Sequence, residues 1–329
     1  GPDQSRSTEK NLMTGLRILL GAAILGGLGA AAPFTPLWLI SLVTLAMSTG
    51  LVVCGLIILW RGGLVPFGQA LFFATGAYTV ALSGRWFGLT DAFLLIALAV
   101  IMAALVAFVV GFLLAQYREI FFAMLSLALS MILYGVLVKS ETLGSTDGIN
   151  VAQASFFGLK PRGPGYTFAL FWLALGMVFA AWVGVSAYLG SVAGQLAGAI
   201  RDNEIRVEYL GISVTRLVHL KLTISAALAG AGGALAALSI SHVDPQMAYW
   251  TTSGGFVFVT ILAGAASVPA AFLGALLFEI VRTIAVALLP GGWQLILGSV
   301  LLLTILFVPE GLGSLMIRKR TAVAEKGAT

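Results

Sequence analysis

Long apolar stretches, separated by short polar ones, run through almost the whole chain. An apolar α-helix of about 20 residues is long enough to cross a hydrocarbon core roughly 30 Å thick. The stretches predict ten such helices, near residues 14–32, 37–60, 66–84, 91–116, 120–138, 166–189, 214–240, 253–266, 270–289 and 293–308. The pattern therefore predicts an all-α, polytopic membrane protein with about ten transmembrane helices, including short or broken segments near 66–84 and 253–266.

Polar residues gather at the two ends of the chain and in its loops. Residues 1–13 are predicted to form a disordered tail, whose opening Gly1-Pro2 is typical of the remnant that a protease leaves after removing an affinity tag. Residues 14–312 form the predicted membrane domain, which contains a polar loop at 190–213, called the island loop below. Residues 313–329 form a predicted basic tail.

Composition agrees with a membrane protein and excludes several other classes. Hydrophobic residues make up 60% of the chain and charged residues only 9%, too few to cover a soluble domain of 329 residues. In a membrane protein a net charge of +5 reports orientation, so it does not indicate a nucleic-acid partner. The single cysteine, Cys54, excludes an intrachain disulfide framework.

The distribution of basic residues predicts an orientation. Ten crossings place both termini on one side, and the basic residues that share this side are Arg17, Arg61, Arg118, Arg201, Arg206, Arg216 and the terminal Arg318, Lys319 and Arg320. The opposite side holds fewer, chiefly Arg85, Lys139, Lys160 and Arg162. Because Lys and Arg are retained in cytoplasmic loops, both termini and the island loop are predicted to be cytoplasmic.

The densest cluster of charge lies at residues 199–211, called the charged island below. Arg201, Glu204 and Glu208 are spaced by three and four residues, which predicts one helix on which they share a face and can pair. Gly211 is well placed to end that helix. Such a helix either rests on the headgroup surface or docks into a groove on a soluble partner.

Inside the predicted spans, three features stand out. Small residues recur every fourth position from Ser225 to Ala237, which predicts close helix packing. Glu279 and Arg282, three residues apart, either line a translocation path or form a structural ion pair, and the spacing favours the pair. The residues proposed for the path are Phe72, Tyr78, Tyr134, Glu279 and Arg282. Without clustered Cys, His or acidic residues, no metal site is predicted.

Several motifs together resemble one family, the permease subunits of branched-chain amino-acid ABC transporters, and within it the LivM-type subunits. They cover about residues 37 to 312 and are Ala199-Ile200-Arg201-Asp202-Asn203-Glu204 with Leu210-Gly211-Ile212, the glycine-rich segment Phe67 to Thr79, the turn Gly144 to Ile149, Trp293 to Gly298, and Phe307 to Leu312. The chain departs from the family pattern at Gln69, at Gln195 and in the stretch from Ala263 to Pro269.

The resemblance implies a subunit of an importer in the bacterial inner membrane. Its partners would be a second related permease, two cytoplasmic ATPase subunits and a periplasmic solute-binding protein. ATP and Mg would bind to the ATPase partners, since this chain contains no Gly-x-x-x-x-Gly-Lys-Ser/Thr loop and is expected to be non-catalytic and to carry no cofactor. The resemblance also implies a periplasmic turn at Asp147 and Gly148, and a set of ATPase-coupling residues consisting of Arg201, Asp202, Asn203, Glu204, Arg206, Glu208 and Gly211.

The solute and the energy source have alternatives. Within the family the expected solutes are branched-chain or other amino acids, with urea, amides or aromatic carboxylates as the alternative. A secondary transporter driven by an ion gradient is the main alternative of another class, because such proteins carry ionisable residues inside broken helices. A membrane-embedded enzyme would need a catalytic cluster, and the sequence offers none.

Overall fold

A computed structural model describes residues 35–264 and 268–307, together with Gly26, Gly27 and Gly29. Apart from those three glycines, the predicted disordered tail, first span and basic tail lie outside the described residues. The helices are α1 Leu37–Trp60, α2 Gln69–Phe87, α3 Ala92–Leu114, α4 Glu119–Lys139, α5 Pro164–Gly190, α6 Val192–Asp202, α7 Glu204–Tyr209, α8 Val214–Ile240, α9 Trp250–Ala263, α10 Val268–Leu288 and α11 Trp293–Phe307. Two short strands, β1 Ile149–Asn150 and β2 His242–Val243, pair antiparallel.

Six of these helices are long and apolar enough to cross a membrane, namely α1, α3, α4, α5, α8 and α10. The helices α9 and α11 are apolar but shorter. Helix α2 has 19 residues, many of them small or hydroxylated, and most of it is buried against its neighbours. The all-α, polytopic class is therefore confirmed, whereas the number of crossings stays a prediction.

Helix α8 lies at the centre and packs against α1, α2 and α3. Its small residues allow the backbones to approach: a Cβ at Gly233 would overlap the carbonyl oxygen of Phe73 on α2, and one at Gly230 would overlap Ala103 on α3. Gly76 of α2 faces the backbone of Gly230 in the same way. The predicted small-residue stripe is thus confirmed as an internal packing face, which holds the bundle together by dispersion contacts between closely spaced backbones.

The connections between helices gather at two ends of the bundle. At the ladder end, β1 pairs with β2, and the Arg85 guanidinium donates to the Thr142 carbonyl over 3.5 Å. At the island end, the Arg118 side chain meets Glu204, and the Arg201 side chain lies against Gly63. This grouping of the loops is the one that the alternation of predicted spans requires.

Candidate functional site

The charged island forms two helices, so the expectation of one continuous helix was wrong. Helix α6 ends at Asp202, α7 begins at Glu204, and Asn203 between them is extended, with φ −163° and ψ 100°. The Asn203 side-chain oxygen accepts a hydrogen bond of 3.0 Å from the backbone N–H of Arg206. Asparagine competes in this way for the free N–H groups at a helix start, so the chain restarts a helix instead of continuing one.

Glu204 pairs with Arg118, which corrects the predicted pairing with Arg201. The Arg118 guanidinium donates from Nη2 to Oε1 of Glu204 over 2.6 Å and from Nε to both carboxylate oxygens over 2.9 and 3.1 Å. Its Nη1 also donates to the carbonyls of Ala115 and Tyr117. The break at Asn203 turns Glu204 away from α6, and Arg118 offers the planar fork that a carboxylate binds through two oxygens.

Buried residues anchor the island loop from below. Ile200 of α6 and Val207 of α7 are 6% and 2% exposed. They join one apolar cluster with Leu64, in the turn after α1, and with residues near the ends of four transmembrane helices, namely Leu59, Leu114, Phe122, Val218 and Leu222. Because interiors are close-packed, a displacement of this loop is transmitted to α1, α3, α4 and α8.

Facing away from this cluster, α7 and the residue that follows it present an apolar ridge, defined here as Ile205, Tyr209 and Leu210. These side chains are 65%, 88% and 73% exposed. The exposed charges of Arg206 and Glu208 flank the ridge. The sequence pattern drew attention to the charges and not to the ridge, although Ile205 and Tyr209 are four residues apart and therefore share a helix face, away from Val207.

Gly211 ends α7, as predicted. Its φ is +81°, in the left-handed region, and its N–H donates to the Glu208 carbonyl over 2.9 Å. A Cβ at this position would meet no atom within 4 Å. The backbone conformation, and not space, therefore calls for glycine here.

We expect Gly211→Ala to lower the free energy of unfolding by about 1 kcal/mol, since a left-handed conformation costs roughly that much for an L-residue. Gly198→Ala is the matched control, because Gly198 lies inside α6, has a helical φ and has open space around it. That control should be neutral or slightly stabilising. Thermal unfolding of the purified protein measures both variants, and equal midpoints would contradict the assignment of strain to Gly211.

The residues predicted for a translocation path lie in different places. Phe72 and Tyr78, both on α2, are buried in separate apolar clusters. The ring of Tyr134 packs 4.8 Å from that of Tyr249, measured between centroids. Tyr134 packs against the cluster that contains Tyr78, whereas Phe72 belongs to the other cluster, so the structure does not gather all three in one place.

Glu279 and Arg282 form the ion pair that their spacing favoured. Arg282 Nη1 lies 3.6 Å from Oε2 of Glu279, and the Thr49 hydroxyl donates to Oε1 of the same carboxylate over 3.2 Å. The guanidinium also lies over the ring of Trp293, 5.7 Å from its centroid. The pair therefore connects α10 with α1 and α11, which is a structural arrangement.

Asp147 and Gly148 occupy a turn at the ladder end. Asp147 closes a short 3₁₀ helix and is exposed, and Gly148 follows with a φ of +73°. A Cβ at Gly148 would overlap the carbonyl oxygen of Val243 on β2. Glycine is required here because the turn packs directly on the strand. Elsewhere in the described residues, no group of three His, Cys, Asp or Glu side chains could hold a metal ion.

The sequence of the chain is similar to one family of membrane permeases. The family described as branched-chain amino acid transport system, permease component, matches residues 38–306. The high-affinity branched-chain amino acid transport system permease protein LivM of Escherichia coli (strain K12) is 27% identical over 278 residues, as is LivM of Salmonella typhimurium. The alignments cover 78% of this chain but only 65% of each LivM protein. No solved structure matches.

Proposed function

Because the chain belongs to the family of permease components of branched-chain amino acid transport systems, we propose that it is the membrane permease subunit of an ATP-driven importer. The island loop receives the motion of a cytoplasmic ATPase subunit, and the bundle carries the solute across the bacterial inner membrane. One observation carries this proposal. The ridge contains the most exposed apolar side chains of the island, and it lies on a loop whose buried residues pack against four transmembrane helices.

The coupling is mechanical. The ridge inserts into a groove on the ATPase partner, with Arg201, Arg206 and Glu208 available for charged contacts around it. Glu204 points inward and holds the loop through Arg118. When ATP closes the partner, the loop moves, and α1, α3, α4 and α8 move with it. Such a switch requires that the partner contact the loop differently in its two states.

The remaining partners follow from the same proposal. A second, related permease subunit completes the translocation path, a second ATPase subunit serves it, and a periplasmic solute-binding protein delivers the solute. ATP and Mg bind to the ATPase subunits. Both termini and the island end face the cytoplasm, since that end carries the excess of Arg and Lys.

The solute is a branched-chain or other amino acid, with urea, amides or aromatic carboxylates as the alternative. A secondary transporter is less well supported, because such proteins use intramembrane carboxylates that exchange partners with the coupling ion. Glu279, the buried acidic residue of the described spans, already has Arg282 and Thr49 as partners.

Substitution of the ridge tests the docking proposal. We expect Tyr209→Ala to weaken capture of the co-expressed ATPase subunit by about 10-fold and Leu210→Ala to weaken it less, because tyrosine is enriched and leucine under-represented among the residues that dominate interfaces. The measurement is the amount of ATPase that co-purifies with the tagged permease.

Leu159→Ala is the matched control, since Leu159 is 74% exposed but lies at the ladder end. The proposal fails if ridge variants retain the ATPase fully. The proposal also fails if the wild-type protein captures no ATPase subunit and an ion gradient alone drives its solute uptake, which is the result that a secondary transporter would give.

A further inference from the structure

Two buried polar atoms near the ladder end lack hydrogen-bond partners among the described residues. They are the hydroxyl of Tyr78 on α2 and the Oδ1 atom of Asp244, which follows β2. Tyr78 is only 5% exposed. A buried polar atom without a partner costs free energy, so native proteins satisfy nearly all of them. These two atoms therefore mark a place where a polar group from outside the chain would be stabilised.

Asp244 does not cap a helix, although its position would allow it to do so. It precedes the 3₁₀ helix Pro245–Ala248, where an aspartate ordinarily caps the free N–H groups, yet its side chain makes no capping hydrogen bond. Among the described residues, no Lys or Arg forms an ion pair with this carboxylate. The described fold thus gives the Asp244 carboxylate neither a capping role nor an ion-pair partner.

The two residues belong to one site. Helix α2, which carries Tyr78, packs against β2 and against the 3₁₀ helix Pro245–Ala248, the two elements on either side of Asp244. Gly148 keeps the neighbouring turn free of a side chain, because a Cβ there would come within 3.1 Å of the Asp244 Cα. A carboxylate and a hydroxyl therefore converge between α2, β2 and the 3₁₀ helix.

We propose that Tyr78 and Asp244 bind the ammonium group of the transported solute. The inference rests on the proposed importer function and deepens it by naming the substrate class. An ammonium offers three N–H donors and a charge opposite to that of Asp244, and the Tyr78 oxygen accepts one of the donors. An aromatic carboxylate would be repelled by Asp244, and urea or an amide would gain hydrogen bonds but no charge pairing. The site therefore selects amino acids over the other solutes of the family.

Equilibrium binding to the purified, complete transporter, without its solute-binding protein, tests this site. The probes are radiolabelled leucine and three unlabelled competitors that each keep part of it: 3-methylbutylamine, 4-methylpentanoate and 4-methylpentanamide. We expect the amine to displace leucine, and the carboxylate and the amide to displace it at least about 10-fold less well, since loss of a desolvated charge pair is worth more than 1.4 kcal/mol.

Variants separate a binding role from a structural one. Asp244→Asn should weaken leucine binding by about 10-fold or more, Tyr78→Phe by less, and Asp244→Glu should restore most of the affinity because it restores the charge. Glu141→Gln removes an exposed carboxylate at the same end and should change nothing. Unfolding midpoints of all four proteins report whether the fold survives.

Three results would overturn the inference: stronger binding of labelled 4-methylpentanoate than of leucine, unchanged leucine binding by Asp244→Asn, or no leucine binding by wild-type protein. None of these results would contradict the importer proposal, because that proposal is tested separately by capture of the ATPase through the apolar ridge. Conversely, loss of ATPase capture in the wild type would remove the importer while leaving the binding data intact.

Discussion

Under the proposed importer function, reversal of the charge at Arg118 is expected to reduce ATP-driven uptake by about 100-fold or more, because like charges placed in contact cost several kcal/mol. Arg118→Glu would place a carboxylate against Glu204 and would remove the hydrogen bonds to the Ala115 and Tyr117 carbonyls. The island loop would then lose its ion pair with the turn between α3 and α4. Uptake into proteoliposomes that contain the complete transporter measures the effect.

A second readout of the same variant does not depend on transport. Once Glu204 is released, α7 should separate from the bundle more often, and trypsin should cleave faster after Arg206. The exchanged variant Arg118→Glu/Glu204→Arg should recover part of the uptake and of the protease resistance, since it restores opposite charges but not the carbonyl contacts.

Arg216→Glu serves as the control for charge reversal at this end. Arg216 is exposed near the start of α8, where a negative charge is tolerated by the helix dipole. We expect wild-type uptake from it. If Arg118→Glu transports normally, or if the exchanged variant is no better than either single variant, the bridge does not hold the loop.

The second large effect is expected at the centre of the bundle. Gly233→Leu should prevent folding, and Gly233→Ala should lower the free energy of unfolding by about 3 kcal/mol, near the upper end for overpacked cores. At this position a Cβ would overlap the Phe73 carbonyl and would lie 3.1 Å from the backbone nitrogen of Ala77. Both obstacles are backbone atoms, so no side-chain rotation relieves them. Yield and thermal midpoint after size exclusion are the measurements.

Gly176→Ala on α5 is the matched control, since a Cβ there meets nothing within 4 Å. Replacing a helical glycine with alanine in open space should stabilise the protein by about 0.5–1 kcal/mol. Opposite signs at two helical glycines would establish backbone contact between α2 and α8. A stable Gly233→Ala variant would refute that contact.

Much of the fold could be predicted because the membrane imposes simple rules. Apolar runs near 37–60, 91–116 and 214–240 correspond to α1, α3 and α8, since a hydrocarbon core accepts only segments that satisfy their own backbone hydrogen bonds. The small-residue stripe on α8 and the Glu279–Arg282 pair were also readable, because both depend on spacing within one helix. Contacts between different helices could not be predicted in this way.

The island illustrates that limit. Local spacing predicted a pair between Arg201 and Glu204, but Asn203 ends one helix and begins another. Glu204 then reaches Arg118, which lies 86 positions away in the chain. No periodicity within 199–211 contains that information, because a partner so distant is brought near only by the packing of α3, α4 and α8.

The sequence by itself determined the class of the protein, the grouping of its loops at two ends and the position of the charged island, all of which follow from the order of apolar and polar stretches. The tertiary structure alone decided which island residues face inward and which face outward. It also packed α2, which carries Tyr78, against the two elements on either side of Asp244. Burial and partnership are properties of packed surfaces, and they exist only once the helices have met.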